Sequence, residues 1–176
     1  GVGGPGRAVA GFFATHARLT VSGQTHTEAG LQLAYSPWVA ASSLLYLPAA
    51  FVFARGCRLG RCGWCWGLLL AAQSAVSVMG DAVALDRFWV TADRIVASVL
   101  AVSVPAWFLG VRRRFTLGQS LVLLAGVAAS LACLAWARAS ASQGEYVLRQ
   151  SLWHVASGGL AAWFAAVAVR GAPEAK

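Results

Sequence analysis

The sequence is short of charge. Only 11% of its 176 residues are Asp, Glu, Lys or Arg, against roughly 25% in a soluble domain. The shortage is also uneven. Ala29–Ala54, Cys62–Gly80, Ile95–Val111, Phe115–Ala137 and Gln150–Val169 hold no charged residue at all. Such runs approach or exceed the ~17–25 residues that a helix needs to cross the hydrocarbon core of a bilayer. Five of them leave no room for a separate soluble domain. Asparagine is missing altogether, which excludes N-linked glycosylation. No internal repeat is visible, and no pair of inverted, broken helices of the kind that builds a transporter site.

What is present is 59% hydrophobic residues, a mean hydropathy of +0.65 and a net charge of +8. A basic chain could bind nucleic acid, but here the arginines form no patch interleaved with aromatics. They sit in short loops instead: Arg55, Arg58 and Arg61 after the first run, Arg112–Arg114 after the third. Basic loops mark the cytoplasmic side. With the amino terminus outside, five spans put Arg55, Arg58, Arg61, Arg112, Arg113, Arg114, Arg170 and Lys176 inside. Arg7, Arg18, Arg87, Arg138 and Arg149 then lie outside. Eight against five favours an N-out, C-in orientation.

The expected fold is therefore all-α, a polytopic transmembrane helix bundle of about five spans. Residues 1–30 read as a flexible outer segment with a short interfacial helix near Ala8–Leu19. The stretch AVAGFFA within it is too short to span and only a weak signal-peptide candidate. Residues 31–170 read as one transmembrane helical domain and 171–176 as a short cytoplasmic tail. The spans are expected at Leu31–Ala54, bent by Pro37 and Pro48, then Gly63–Gly80, Phe88–Gly110, Thr116–Trp136 and Gln150–Val169. Small residues in the last two (Gly126, Ala128, Ala129, Ser130; Ser157, Gly158, Gly159) permit close helix approach. Such a chain resides in the plasma membrane or an endomembrane, with lipids and other membrane proteins as partners and no nucleic acid.

Cys57, Cys62 and Cys65 cluster at the first inner loop, and Cys133 lies alone in the fourth span. C-x4-C-x2-C without a partner histidine is a poor zinc pattern. The reducing cytoplasmic side argues against disulfides. The thiols are inert or palmitoylated.

The polar residues within the runs are more informative. Ser74, Ser77 and Asp81 share one helix face at the outer end of the second span, and Asp86 and Asp93 share one on the third. Gln150 and His154 are four apart at the outer start of the last, followed by Ser157 and Gly158. Three distant segments thus place Ser77, Asp81, Asp93, Gln150 and His154 at one depth. A charge buried in lipid costs at least a few kcal/mol without a cavity or a partner. Convergence inward answers that cost, with the carboxylates, the imidazole and Arg94 around water or a metal. Under the alternative, Asp81 and Asp86 are hydrated in a loop, Asp93 pairs with an arginine and His154 is an interfacial anchor.

SLWH at Ser151–His154, opening the last span, resembles the final helix of the CREST superfamily. That group takes in alkaline ceramidases, progestin/adiponectin-type receptors, Per1-like proteins and the myomaker-related proteins. SPWVAASSLLYLPAAFVFARG, Ser36–Gly56, is similar to the first helix of the myomaker-like branch. SAVSVMGD, Ser74–Asp81, falls where the family has Ser followed four residues later by His, and ADRIVASVL, Ala92–Leu100, where the third helix carries its Asp. The family has seven helices, and the fourth and fifth have no counterpart here. Its metal is held by a second-helix His and two His in H-x3-H on the last helix; the matching positions are Asp81, Gln150 and His154. The resemblance implies a metal set of Asp81, Asp93 and His154, with Ser77 and Asp93 as catalytic residues. The lost histidines imply instead a non-enzymatic scaffold that keeps a polar outer pocket and needs no cofactor. The alternative is a zinc-dependent lipid amidase or esterase.

Overall fold

The computed structural model describes residues 27, 30–56, 60–84, 86–111 and 115–170. The interfacial helix expected near Ala8–Leu19, Cys57, Arg58, Arg112–Arg114 and the tail 171–176 lie outside the described residues. Those described are all helical apart from turns and short connections, with no β-strand among them. The elements are α1 (Pro37–Ser43), α2 (Tyr46–Arg55), α3 (Gly60–Val78), α4 (Arg87–Val111), α5 (Leu117–Arg138) and α6 (Gln143–Arg170). Among the described residues, four stretches are long and apolar enough to cross a membrane: Pro37–Arg55, Arg87–Leu109, Leu117–Arg138 and Gln143–Arg170.

The first apolar stretch starts at Pro37, not at Leu31. The Ser36 hydroxyl accepts from Val39 N–H, and Pro37 supplies a pre-set φ with no amide to leave unpaired. The expected bend falls between α1 and α2. Pro48 has no N–H for the Leu44 carbonyl and its ring crowds that oxygen, so Leu44 accepts from Leu47 N–H instead.

The last helix, α6, starts at Gln143, seven residues ahead of the expected Gln150. Ser142 accepts from the Glu145 amide, and the Glu145 carboxylate turns back to the Ala141 amide. That capping pattern in SQGE extends the helix through residues expected as loop. Helix α5 starts with a full capping box at Thr116 and Gln119.

Across the bundle the helices pack in the order α4, α3, α2, α6, α5, with α1 against both α3 and α6. Two glycines set the spacing. A Cβ on Gly67 would stand 2.9 Å from the Ala50 carbonyl oxygen, and one on Gly158 3.0 Å from Leu45 Cβ and 3.1 Å from its carbonyl. Both contacts are with rigid parts of α2 or its entry, so no larger residue fits without moving a helix. At one end, Phe53, Trp66, Trp107, Phe108, Phe115 and Phe164 form a ring cluster with centroids 5.3–6.2 Å apart. At the other end the interior is polar.

Helix α3 is not among the four apolar stretches: it carries Arg61 in its first turn and polar residues on the face it turns inward. Gln73, Ser74 and Ser77 are buried, while Trp64 and Leu68 on the opposite face are exposed, Leu68 at 64%. The inward polar residues lower the average of a helix whose outer face is apolar.

Candidate functional site

His154 lies 1% exposed at the centre of the polar end. Its Nδ1 is 2.9 Å from Ser42 Oγ and 3.2 Å from Ser43 Oγ. Both hydroxyls also donate to the Val39 carbonyl at 2.9 Å, which can only accept. With their protons committed there, the serines offer lone pairs to the ring. That arrangement favours a proton on Nδ1, and Nε2 faces the interior.

Three groups meet Nε2. Ser77 Oγ is at 3.3 Å and Gln150 Nε2 at 3.4 Å. Asp81 Oδ2 is at 3.5 Å, within ion-pair distance. The shortest contact is Gln150 Nε2 donating to Asp81 Oδ2 at 2.6 Å. The Gln150 amide group thus sits beside the carboxylate and the imidazole and touches both. Tyr46 packs edge-on to His154, 6.1 Å between centroids, and its hydroxyl is 2.7 Å from Ser157 Oγ. Ser74 donates to the Ser43 carbonyl at 3.0 Å and ties α3 to α1.

Asp81 reaches this position because α3 does not end at Val78. A π-helical turn, Met79–Val83, continues it, with Ala84 N–H donating to the Met79 carbonyl at 2.9 Å. Such widened turns are frequent at functional sites. Here it carries the carboxylate over Gln150.

The structure brings together Ser77, Asp81, Gln150 and His154. Asp93 stands one step away: it accepts from Gln73 Nε2 at 2.7 Å and interacts with the Ser77 hydroxyl. Arg94 is buried beside it, in the electrostatic field of Asp81, Asp93 and Arg138. Asp86 is exposed and caps α4 by accepting from the Trp89 amide at 2.9 Å. Among the described residues no three His, Cys, Asp or Glu side chains are grouped to hold a metal ion. Cys65 is exposed and Cys133 half-buried, both free, and the side chain of Cys62 lies outside the described residues.

Three site residues escaped the sequence reading: Ser42, Ser43 and Gln73. Signals were there. Adjacent serines in the middle of an apolar run are unusual, and Gln73 precedes Ser77 by four residues and Asp81 by eight on the same helical stripe.

Comparison with known proteins matches no family model, no curated protein and no solved structure.

Proposed function

We propose that this is a multi-pass integral membrane protein of the CREST/myomaker-like type, a non-enzymatic helical scaffold with a residual polar pocket near its outer face. All five passes cross the bilayer in this reading, N-out and C-in. Helix α3 joins the four apolar stretches because its polar residues are hidden inside and its exposed face is apolar, as polar residues in membrane helices require.

The observation that carries the scaffold reading is Gln150. Its amide N–H, not its carbonyl oxygen, is directed at Asp81 and His154. A cation between those two would meet an N–H donor where a catalytic zinc needs a third ligand. Asp93 cannot make up the set while it is bound to Gln73. The residues present do not fit a three-ligand zinc site. What Ser77, Gln150, Asp81 and His154 do instead is satisfy one another and fix the relative positions of α1, α3 and α6.

The second reading, a zinc-dependent lipid amidase or esterase, has one observation in its favour. Nδ1 is held by hydroxyls and Nε2 faces a carboxylate, the way outer partners orient a metal-binding histidine.

One experiment separates the two: zinc content and hydrolysis of ceramide-like and phospholipid substrates, measured on the purified protein in lipid. The scaffold reading expects zinc well below one per chain and no turnover above background. It also expects the double change Asp81→His with Gln150→His to raise zinc retention. About one zinc per chain in the unaltered protein, lost in His154→Ala, would establish the hydrolase instead.

A further inference from the structure

The polar interior around His154 has a roof at the end away from the aromatic rings. On the inward stripe of α6, Tyr146 precedes Gln150 by four residues and His154 by eight, so the three stack along one face. Tyr146 is 3% exposed, and the charges of Asp81, Asp93, Arg94 and Arg138 all act on its hydroxyl. Val39 is buried with it, and the Val39 carbonyl accepts from Ser42 and Ser43. Tyr146 and Val39 close this end of the pocket.

The segment Gly30–Ser36 runs across that roof, from the α5–α6 turn to the start of α1. Leu31 and Leu33 pack on Val39 and Tyr146, while Gln32 and Ala34 are exposed. That alternation is the pattern of an extended chain with one face down. At its first end the Thr27 hydroxyl donates to the Ser140 carbonyl at 2.8 Å and accepts from the Leu31 amide at 3.2 Å. Gly30 turns the chain there at φ 79°, with its amide donating to the Thr27 carbonyl. Further along, Gln143 Nε2 donates to the Ala34 carbonyl at 3.0 Å, in a bond exposed to water. No charged residue occurs from Ala29 to Ala54, so the side chains of this segment form no ion pair. Segments held by few apolar contacts and exposed hydrogen bonds are the ones that open locally.

We propose that Gly30–Ser36 is a gate, a strap that shuts the polar interior around His154 and, on lifting from Tyr146 and Val39, admits water and small polar solutes. A hydrogen bond of ordinary strength changes an equilibrium by about fivefold. Cutting either the Thr27 or the Gln143 tie therefore raises the open population about fivefold, and cutting both raises it about 25-fold. The gate acts on access alone, so it serves the scaffold and the hydrolase readings equally.

The test is the rate at which methanethiosulfonate ethylammonium, a small thiol reagent, modifies Ser77→Cys in the full chain in nanodiscs. Intact mass spectrometry reads the rate, and the same protein without Ser77→Cys supplies the background from the native cysteines. Ser77 is 0% exposed and lies 3.3 Å from His154 Nε2, so its modification reports entry to the pocket. Thr27→Val and Gln143→Leu should each raise the rate about fivefold, and together about 25-fold. Gly30→Ala meets nothing within 4 Å but strains the turn at φ 79°, and should raise the rate while removing no contact. Leu123→Cys, in the hydrophobic core, is the control and should react equally slowly with and without the strap substitutions. An unchanged rate at Ser77→Cys in the Thr27→Val, Gln143→Leu double variant overturns the gate. If that pair loosens the whole bundle and raises Leu123→Cys as well, Gly30→Ala decides: a rise confined to Ser77→Cys supports the gate, and no rise there, or an equal rise at Leu123→Cys, overturns it.

Discussion

The two ends of the bundle use the same helices and hold them by different means. Around Trp107 and Phe164 the interior is aromatic, and contacts are made by ring faces and edges with no polar partner required. About ten residues along α6, some 15 Å at ~1.5 Å per residue, the interior around His154 is a set of hydrogen bonds between α1, α3 and α6. In lipid there is little hydrophobic drive between helices, so packing and interhelical hydrogen bonds hold the bundle. The aromatic end depends on volume. The polar end depends on hydrogen-bond partners.

That contrast can be broken at its strong side first. Trp107→Ala removes a ring that touches Phe53, Trp66 and Phe164 and should cost about 3–5 kcal/mol, as large-to-small changes in packed cores do. At ~2–4 °C per kcal/mol for a chain of this size, unfolding followed by fluorescence in detergent micelles should shift by about 10 °C. A shift of only a degree or two would mean that this end is not a packed core. Between the ends, Gly158→Val drives a side chain into Leu45 and should destabilise by about 1–3 kcal/mol. Gly159→Val meets nothing within 4 Å and should leave the melting temperature nearly unchanged. Equal effects at the two glycines would contradict the close approach of α6 to the α1–α2 joint.

At the polar end, His154→Ala leaves Ser42, Ser43, Ser77 and Gln150 each short of one partner and should cost about 1–3 kcal/mol. Asp81→Asn is the smallest change. It keeps an oxygen to accept from Gln150 and should cost less than about 1 kcal/mol. A loss as large as that of His154→Ala would show that Asp81 acts as a counter-ion to a charged imidazole, not as an acceptor for Gln150.

The helical class is legible in the sequence, because charge-free runs are a property of single segments. The start at Pro37 was equally visible in Ser36-Pro37, but apolar residues from Leu31 onward masked it. The start at Gln143 was hidden by a stretch rich in Ser, Gln and Glu that looks like loop, although Ser142 and Glu145 carry a helix-start pattern. For the site, the spacing of Ser77, Asp81, Gln150 and His154 was enough to place them on inward faces. It could not say which polar group each would choose. Asp93 shares their depth yet takes Gln73, and Asp86 serves α4 as a cap. Ser42 and Ser43 went unnoticed because their role depends on α1 lying against α6, and that contact is set by Gly158 and the break at Pro48. Partner choice is a property of neighbouring helices, and one helix at a time does not reveal it.

The central claim is that Gln150 presents an N–H donor, not a metal ligand, to Asp81 and His154. ¹⁵N NMR of histidine-labelled protein in lipid bilayers, with the His154 signals assigned through His154→Gln, tests it most directly. The account predicts a proton on Nδ1 and no change in the Nε2 resonance when one equivalent of zinc is added. A shift of Nε2 to a metal-bound position at one equivalent, with Nδ1 still protonated, would contradict it.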